Sequence, residues 1–251
     1  MNPAVGIDLG TTNTVVAVQT DDTGPRLVMI PQPIEERRTF EPRDHIKSAV
    51  FFESANSAVV GAFAARRLDA IRSIKSRMGT RWRMPHPYDK RMSLTPSYVS
   101  AHILKCGFDQ VSREYPDWDH AAIVTVPASF NTDQRNDTLR AAKLAGLKNV
   151  RLLDEPTAAF YYFFDQNRDS VESERPQTVL VFDFGGGTLD VSIIKVTVGN
   201  GGITIDPIGR SRYNNLGGDD IDTDLAAFLL ATWQSRAGVA LPEIPMIVAI
   251  G

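Results

Sequence analysis

Two short segments of this 251-residue chain carry the same order of chemical groups. Ile7-Asp8-Leu9-Gly10-Thr11 and Phe182-Asp183-Phe184-Gly185-Gly186-Gly187-Thr188 each run from an apolar strand end through aspartate and an apolar residue to glycine and threonine, about 175 residues apart. A turn of Gly, Thr and Asn presents backbone N–H groups and hydroxyls with little bulk, which close approach to phosphate oxygens requires. An aspartate just ahead of such a turn can hold a magnesium ion through waters, because magnesium gives up its hydration shell reluctantly. Either segment alone reads equally well as an ordinary tight hairpin. Two matching copies point to two lobes of like build, each donating one phosphate-facing hairpin. Neither fits GxxxxGK followed by Ser or Thr, nor GxGxxG ahead of a helix, because each continues into a second strand, at 15–18 and at 191–194. A nucleotide would therefore lie between the lobes. Phosphoryl transfer depends on positioning and charge compensation, so a lysine and further carboxylates should converge there.

The elements that must position these turns follow from periodicity and breakers. Residues 5–9 and 15–18 form a hairpin, with a third strand around 27–30 and further pairing between 48–52 and 58–60. Residues 61–78 read as helical, and 80–90 as a Pro- and Arg-rich surface loop. Val99, Ile103 and Val111 recur at helical spacing in a helix that starts at Thr95 and ends before Tyr115-Pro116. A strand at 121–126, the breaker Pro127, cap candidates Asn131 or Thr132, a helix to Ala145 and the stop Gly146 make one unit. A strand at 150–153 and a helix from Glu155-Pro156, carrying the aromatic run 160–164, make the next. Residues 166–177 read as a polar linker. Beyond it come strands at 178–182 and 191–194, the segment 202–205 and a loop to Asn215, and a helix from Gly217 with Ile221, Leu225, Phe228, Leu229 and Trp233 on one face. The run 246–251 reads as a strand just begun. Alternating strand and helix predicts an α/β fold, a mixed sheet flanked by helices. It divides into a first lobe over 1–166 and a second, incomplete lobe over 177–251.

Composition narrows the partners. With 43% hydrophobic and 23% charged residues the chain is neither disordered, collagenous nor coiled coil. A net charge of -3 gives no global basic field for nucleic acid or an anionic membrane. The arginines at 66, 67, 72, 77, 81 and 83 read as a solvated face, since no aromatics interleave them as a base-stacking platform would require. Cys106 is the sole cysteine, so no internal disulfide forms, and it reads as a small buried apolar residue. The first residues lack a basic start and a long apolar stretch, and no run approaches the ~20 apolar residues of a membrane span. These features predict a cytoplasmic protein.

Five motifs, in order, carry a family resemblance. They are Gly6-Ile7-Asp8-Leu9-Gly10-Thr11-Thr12-Asn13-Thr14, Val124-Thr125-Val126-Pro127-Ala128-Ser129-Phe130-Asn131 with Gln134-Arg135, Leu153-Asp154-Glu155-Pro156-Thr157-Ala158-Ala159, Phe182 through Ser192, and Leu216-Gly217-Gly218-Asp219-Asp220-Ile221-Asp222. Over residues 4–238 the chain resembles the seventy-kilodalton heat-shock chaperones of the DnaK type, within the actin-like ATPase superfamily. The resemblance implies ribonuclease H-like lobes, ATP or ADP with Mg2+ as ligands, and ATP hydrolysis. It implies that Asp8 and Asp183 hold magnesium through water. Gly10, Thr11, Thr12 and Asn13 match the first phosphate loop; Gly185, Gly186, Gly187 and Thr188 match the second. Lys75 resembles the lysine that reaches the γ-phosphate and attacking water, and Glu155 the glutamate that orders the metal and water shell; with Asp183 and Thr188 they form the implied catalytic set. A solvated helix lysine and a helix-starting glutamate are the plainer readings of these two residues. Pro127 and Arg135 match the residues through which nucleotide state is thought to reach a substrate-binding domain. Implied partners are unfolded client peptides, a J-domain co-chaperone and a nucleotide exchange factor.

The departures from the family matter as well. The adenosine motif that closes the family's pocket is matched only faintly, at 247–251, and the peptide-binding domain, linker and lid are not identified. Two functions from different classes follow: an ATP-hydrolysing chaperone domain, or a non-hydrolysing chaperone-like scaffold that binds protein. A sugar kinase of the same superfamily is a distant third. An incomplete second lobe would expose strand edges and apolar side chains, predicting self-association.

Overall fold

The computed structural model describes residues 2–21, 23–35, 39–167, 175–199, 202–211 and 216–238. The chain opens with three antiparallel strands, β1 (Ala4–Leu9), β2 (Asn13–Thr20) and β3 (Thr23–Leu27). Val5, Ile7 and Leu9 of β1 and Val16 and Val18 of β2 are buried, the alternation of strands with one face on a core. β4 (Ile30–Glu35) and β5 (Thr39–Arg43) then form a separate two-stranded hairpin. The single strand expected over 27–30 is thus divided, with β3 ending at Leu27 and a new partnership beginning at Ile30. Pro31 and Pro33 supply the reason: lacking N–H groups, they suit an edge pair and not an interior ladder. β6 (Ile46–Lys47) returns to pair with β2, and β7 (Val50–Ser54) and β8 (Ser57–Val60) form the expected hairpin.

The helix expected over 61–78 is absent. In its place stand two 3-10 turns, Ala64–Arg66 and Ile74–Arg77, joined by irregular backbone. The Arg72 guanidinium donates to the carbonyls of Ala65 and Arg67 at 2.6 and 2.7 Å, taking acceptors that a helix would need for its own ladder. Ile71 meanwhile exchanges backbone hydrogen bonds with Val50. Within the loop read over 80–90 lies β9 (Met84–Pro85), which pairs with β10 (Ser93–Leu94).

α1 (Pro96–Glu114) starts where the sequence predicts: the Thr95 hydroxyl accepts the Tyr98 N–H at 3.2 Å, and Pro96 occupies the first helical position. Its Val99, Ile103 and Val111 are buried. α1 runs so close to β2 that a Cβ on Gly107 would lie 2.7 Å from Val16 Cγ2. β11 (Ala121–Val126), α2 (Thr132–Ala145) and β12 (Asn149–Asp154) make a parallel crossover. Asn131 and Gln134 close a capping box on α2, and Gly146 ends it at φ 108°. The completed sheet runs β12-β11-β1-β2-β3, with β6 also on β2; β12, β11 and β1 are parallel and the rest antiparallel. One contiguous core joins this mixed sheet to α1 and α2, the α/β arrangement that the alternation predicts.

α3 (Glu155–Gln166) follows β12 directly, and its Phe160 enters a second, smaller core with Ile194 and Val196. That core backs the antiparallel sheet of β13 (Gln177–Phe184), β14 (Leu189–Gly199) and β15 (Gly202–Arg210). α4 (Gly218–Ala237) follows, and none of its residues is buried. Its Ile221, Leu225, Phe228, Leu229 and Trp233 are 49–65% exposed, as are Leu180 and Phe182 of β13 at 63 and 64%. The strand read over 246–251, most of the linker read over 166–177 and the end of the loop before Asn215 lie outside the described residues. Among the described residues no helix is long and apolar enough to cross a membrane.

Candidate functional site

The first Gly-Thr turn joins β1 to β2. Asp8, at the end of β1, sits opposite Thr125 in the parallel register with β11, and the Thr125 hydroxyl donates to Asp8 Oδ1 at 2.9 Å. A side chain at Gly10 would overlap the Asn13 carbonyl, so the turn closes only around glycine. Ser48, just after β6, braces it from behind. Its hydroxyl donates to the Gly10 carbonyl and its N–H to the Thr12 carbonyl, both at 2.8 Å.

The second turn joins β13 to β14 and is closed by the Gly185 N–H donating to the Thr188 carbonyl at 2.8 Å. Asp183 and Asp190 face one another across this pair of strands. The N-terminus of α4 rests on the same turn, with the Gly218 and Asp219 N–H groups donating to the Gly185 and Gly186 carbonyls at 3.1 and 2.7 Å. The two turns touch. A Cβ on Gly186 would overlap Thr12 Oγ1, and one on Gly187 would lie 2.8 Å from both Thr11 Cγ2 and Ser76 Oγ. None of Gly185, Gly186 and Gly187 has a positive φ, so these glycines answer to close approach across the cleft, not to turn conformation.

Lys75 lies on the 3-10 turn Ile74–Arg77 and is 8% exposed. Its Nζ donates to Glu155 Oε1 at 2.7 Å and stands 5.9 Å from the centroid of the Phe130 ring. Glu155, the first residue of α3, feels burial first: desolvation pushes its carboxyl up to about 7, Asp8 and Asp183 push the same way, and Lys75 opposes them. Partial enclosure likewise raises Asp183, with Asp8 and Asp190 adding to the rise and Lys75 opposing it. The structure therefore gathers Asp8, Asp183, Glu155 and Lys75 within electrostatic reach of one another. Three carboxyl groups and one ammonium share this part of the cleft, while among the described residues no group of three or more acidic, His or Cys side chains is arranged to hold a metal ion directly.

Arg135, on α2, donates from its Nη2 to Asp154 Oδ1 at 2.6 Å and from its Nε to the Phe130 carbonyl at 3.1 Å. It thereby grips the residue before Glu155 and the residue whose ring faces Lys75. Pro127 is buried, and its carbonyl accepts the Phe130 N–H at 3.0 Å. Further polar contacts tie the flanking loop to the second sheet: the Ser129 hydroxyl donates to buried Asp190 at 2.8 Å, and Arg210 donates to the Ala128 carbonyl. Sequence reading assigned no role to Thr125, Ser48, Ser73, Ser129, Asp190, Arg210 or Asp219. Ser129, Asp190 and Asp219 lie within motifs that were legible, and Thr125 faces Asp8 once the strand register is known. Ser73, with φ 49°, has no local sequence signal for that conformation.

A model of the family described as Hsp70 protein matches residues 73–249, a range that holds Lys75, Glu155, the second turn and α4. The chain is 37% identical over 230 residues to the chaperone protein DnaK of Mycoplasma mobile, covering 90% of this chain and 34% of that protein. It is also 37% identical over 246 residues to the chaperone protein DnaK of Thermosipho melanesiensis and to that of Thermosipho africanus, in each case covering 95% of this chain and 37% of the relative. The chain thus spans about a third of the length of these relatives.

Proposed function

The chain belongs to the Hsp70 family, and on that premise we propose that it is the ATP-binding and ATP-hydrolysing part of a heat-shock-type molecular chaperone, acting with magnesium between its two glycine turns. The observation that carries this reading is the Lys75–Glu155 pair, buried where Asp8 of the first lobe and Asp183 of the second act on the same carboxyl. In this reading the lobes are those over 1–166 and 177–251, with Phe160 of α3 packed into the second core.

In this reading the N–H groups and hydroxyls of Gly10, Thr11, Thr12 and Asn13 and of Gly185, Gly186, Gly187 and Thr188 receive phosphate oxygens of ATP or ADP. Asp8 and Asp183 offer hard carboxylate oxygens, the donor type that suits hydrated magnesium. When bound, magnesium supplies neutralisation of phosphate charge. Lys75 adds a fixed ammonium toward the γ-phosphate, and its bond to Glu155 Oε1 leaves Oε2 to accept a proton from the attacking water. A carboxyl at about 7 is well matched to that exchange near neutral pH. Arg135 and Pro127 join this centre to the loop before α2, a route by which nucleotide state reaches a neighbouring domain.

The rest of the reading concerns the whole protein: clients in unfolded form, a J-domain co-chaperone, an exchange factor and residence in the cytoplasm. Self-association follows from the open apolar faces of α4 and β13. A non-hydrolysing scaffold would leave the buried Lys75–Glu155 pair without a use. Titration calorimetry with ATP and ADP, with magnesium and then with chelator, tests the proposal. Magnesium-dependent binding at micromolar affinity or tighter, with measurable phosphate release, is expected; no detectable binding overturns it.

A further inference from the structure

Taking the nucleotide reading above as its basis, we infer that Ser73 and Asp219 form a clasp across the cleft, so that Ser73 is a positioning residue for Lys75 and sets the rate at which nucleotide leaves. The Ser73 hydroxyl donates to Asp219 Oδ2 at 2.6 Å, linking residues 146 apart in the chain. A hydroxyl on an ionised carboxylate is a strong, charge-assisted bond. It is a side-chain tie between two pieces of the site that are otherwise held by different lobes.

Both ends are anchored. Ser73 precedes the turn carrying Lys75, and the Ser76 N–H donates back to the Ser73 carbonyl at 3.1 Å. Its backbone is left-handed, at φ 49° and ψ 30°, a conformation that serine holds only where its surroundings enforce it. Arg72 is pinned on one side by its bonds to Ala65 and Arg67, and Asp219 holds the side chain on the other. Asp219 is fixed in turn, since its own N–H donates to the Gly186 carbonyl at 2.7 Å. One hydrogen bond therefore ties the Lys75 turn to the Gly186 turn. Beneath it lies a cavity of only about 30 Å³, lined by Thr11, Thr12, Ser48, Ser73 and Asp219 among others. Phosphates held between the turns cannot leave on this side until the clasp opens. The Ser129–Asp190 bond and the Arg210 contact with Ala128 lie elsewhere on the cleft and keep the lobes joined when it does.

The test compares Ser73→Gly, Ser73→Asn, Asp219→Asn and the Ser73→Gly/Asp219→Asn double variant. Glycine keeps the left-handed backbone and removes only the hydroxyl, while asparagine tolerates that backbone and restores a donor. Release of a fluorescent ADP analogue with magnesium, followed by stopped flow, should be about tenfold faster in Ser73→Gly and return to within about threefold of wild type in Ser73→Asn. In ligand-free protein, urea denaturation of wild type, Ser73→Gly, Asp219→Asn and the double variant should show coupling between positions 73 and 219. Unchanged release in Ser73→Gly, equally fast release in Ser73→Asn, or a double variant whose stability is the sum of the single ones overturns the clasp. A wild type that binds no nucleotide overturns the proposed function and the release role together, and coupling in the ligand-free protein then decides whether the structural tie exists.

Discussion

Raising the pH should destabilise the ligand-free protein, and the largest part of the effect should come from Glu155. Its carboxyl sits at about 7 in the fold against an ordinary 4.5, because burial penalises the charged form and Asp8 and Asp183 add repulsion that Lys75 only partly offsets. Between those values the folded state keeps a proton that the unfolded state has released, so stability falls as the pH rises through the window. At about 1.4 kcal/mol per tenfold in proton affinity, the displacement is worth about 3 kcal/mol. Little is lost to solvent screening, since the side chain is 14% exposed. Urea denaturation of wild type and Glu155→Gln between about pH 5 and pH 8 measures it, because glutamine keeps the shape and an acceptor for Lys75 but does not titrate. The difference between the two proteins isolates Glu155. Asp183, raised and so acting in the same direction, titrates in both. So does His102, whose value burial and then His86 and Lys105 depress, and which costs stability as the pH falls. Wild type should lose about 2.5 kcal/mol relative to Glu155→Gln over that range, since part of the displacement lies below pH 5. Two parallel stability curves would refute the burial argument.

Three further outcomes are expected. Gly186→Ala drives a methyl into Thr12 Oγ1; at the ~1–3 kcal/mol typical of overpacking, nucleotide affinity should fall about tenfold by calorimetry, and an unchanged affinity would show that the contact between the turns is irrelevant to binding. Phe160→Ala empties the centre of the second core and should cost about 3–5 kcal/mol. Hydrogen exchange should then show β13 and β14 losing protection ahead of β1 and α1, whereas uniform loss would mean that the two cores unfold as one. In analytical ultracentrifugation at tens of micromolar this chain should sediment as more than monomer, through the open faces of α4 and β13; a single monomeric boundary rules that out.

Much of the fold was legible because its signals are local. The helix start at Thr95, the cap candidate Asn131 and the stop Gly146 each act within a few residues, and α1 and α2 begin and end where they predict. The stretch 61–78 failed for the opposite reason. Its composition favours a helix, but the Arg72 guanidinium occupies the carbonyls and Val50 captures the backbone of Ile71, and neither competitor shows in a helical window. Pro31 and Pro33 were a visible breaker whose consequence, the departure of β4 from the main sheet, depended on which partner was available.

The candidate site divides along the same line. Sequence alone determined that two Asp-Gly-Thr hairpins exist and that a family of nucleotide-binding chaperones shares their motifs, because each motif is a contiguous run whose chemistry needs no partner to be read. Only the tertiary structure decided that Lys75 is buried against Glu155 across 80 residues, that Gly186 and Gly187 must be bare because Thr12 and Thr11 press on them, and that Ser73 reaches Asp219. Those are contacts between distant residues. The packing that brings them together also sets the desolvation that moves the Glu155 carboxyl, a quantity with no counterpart in an extended chain.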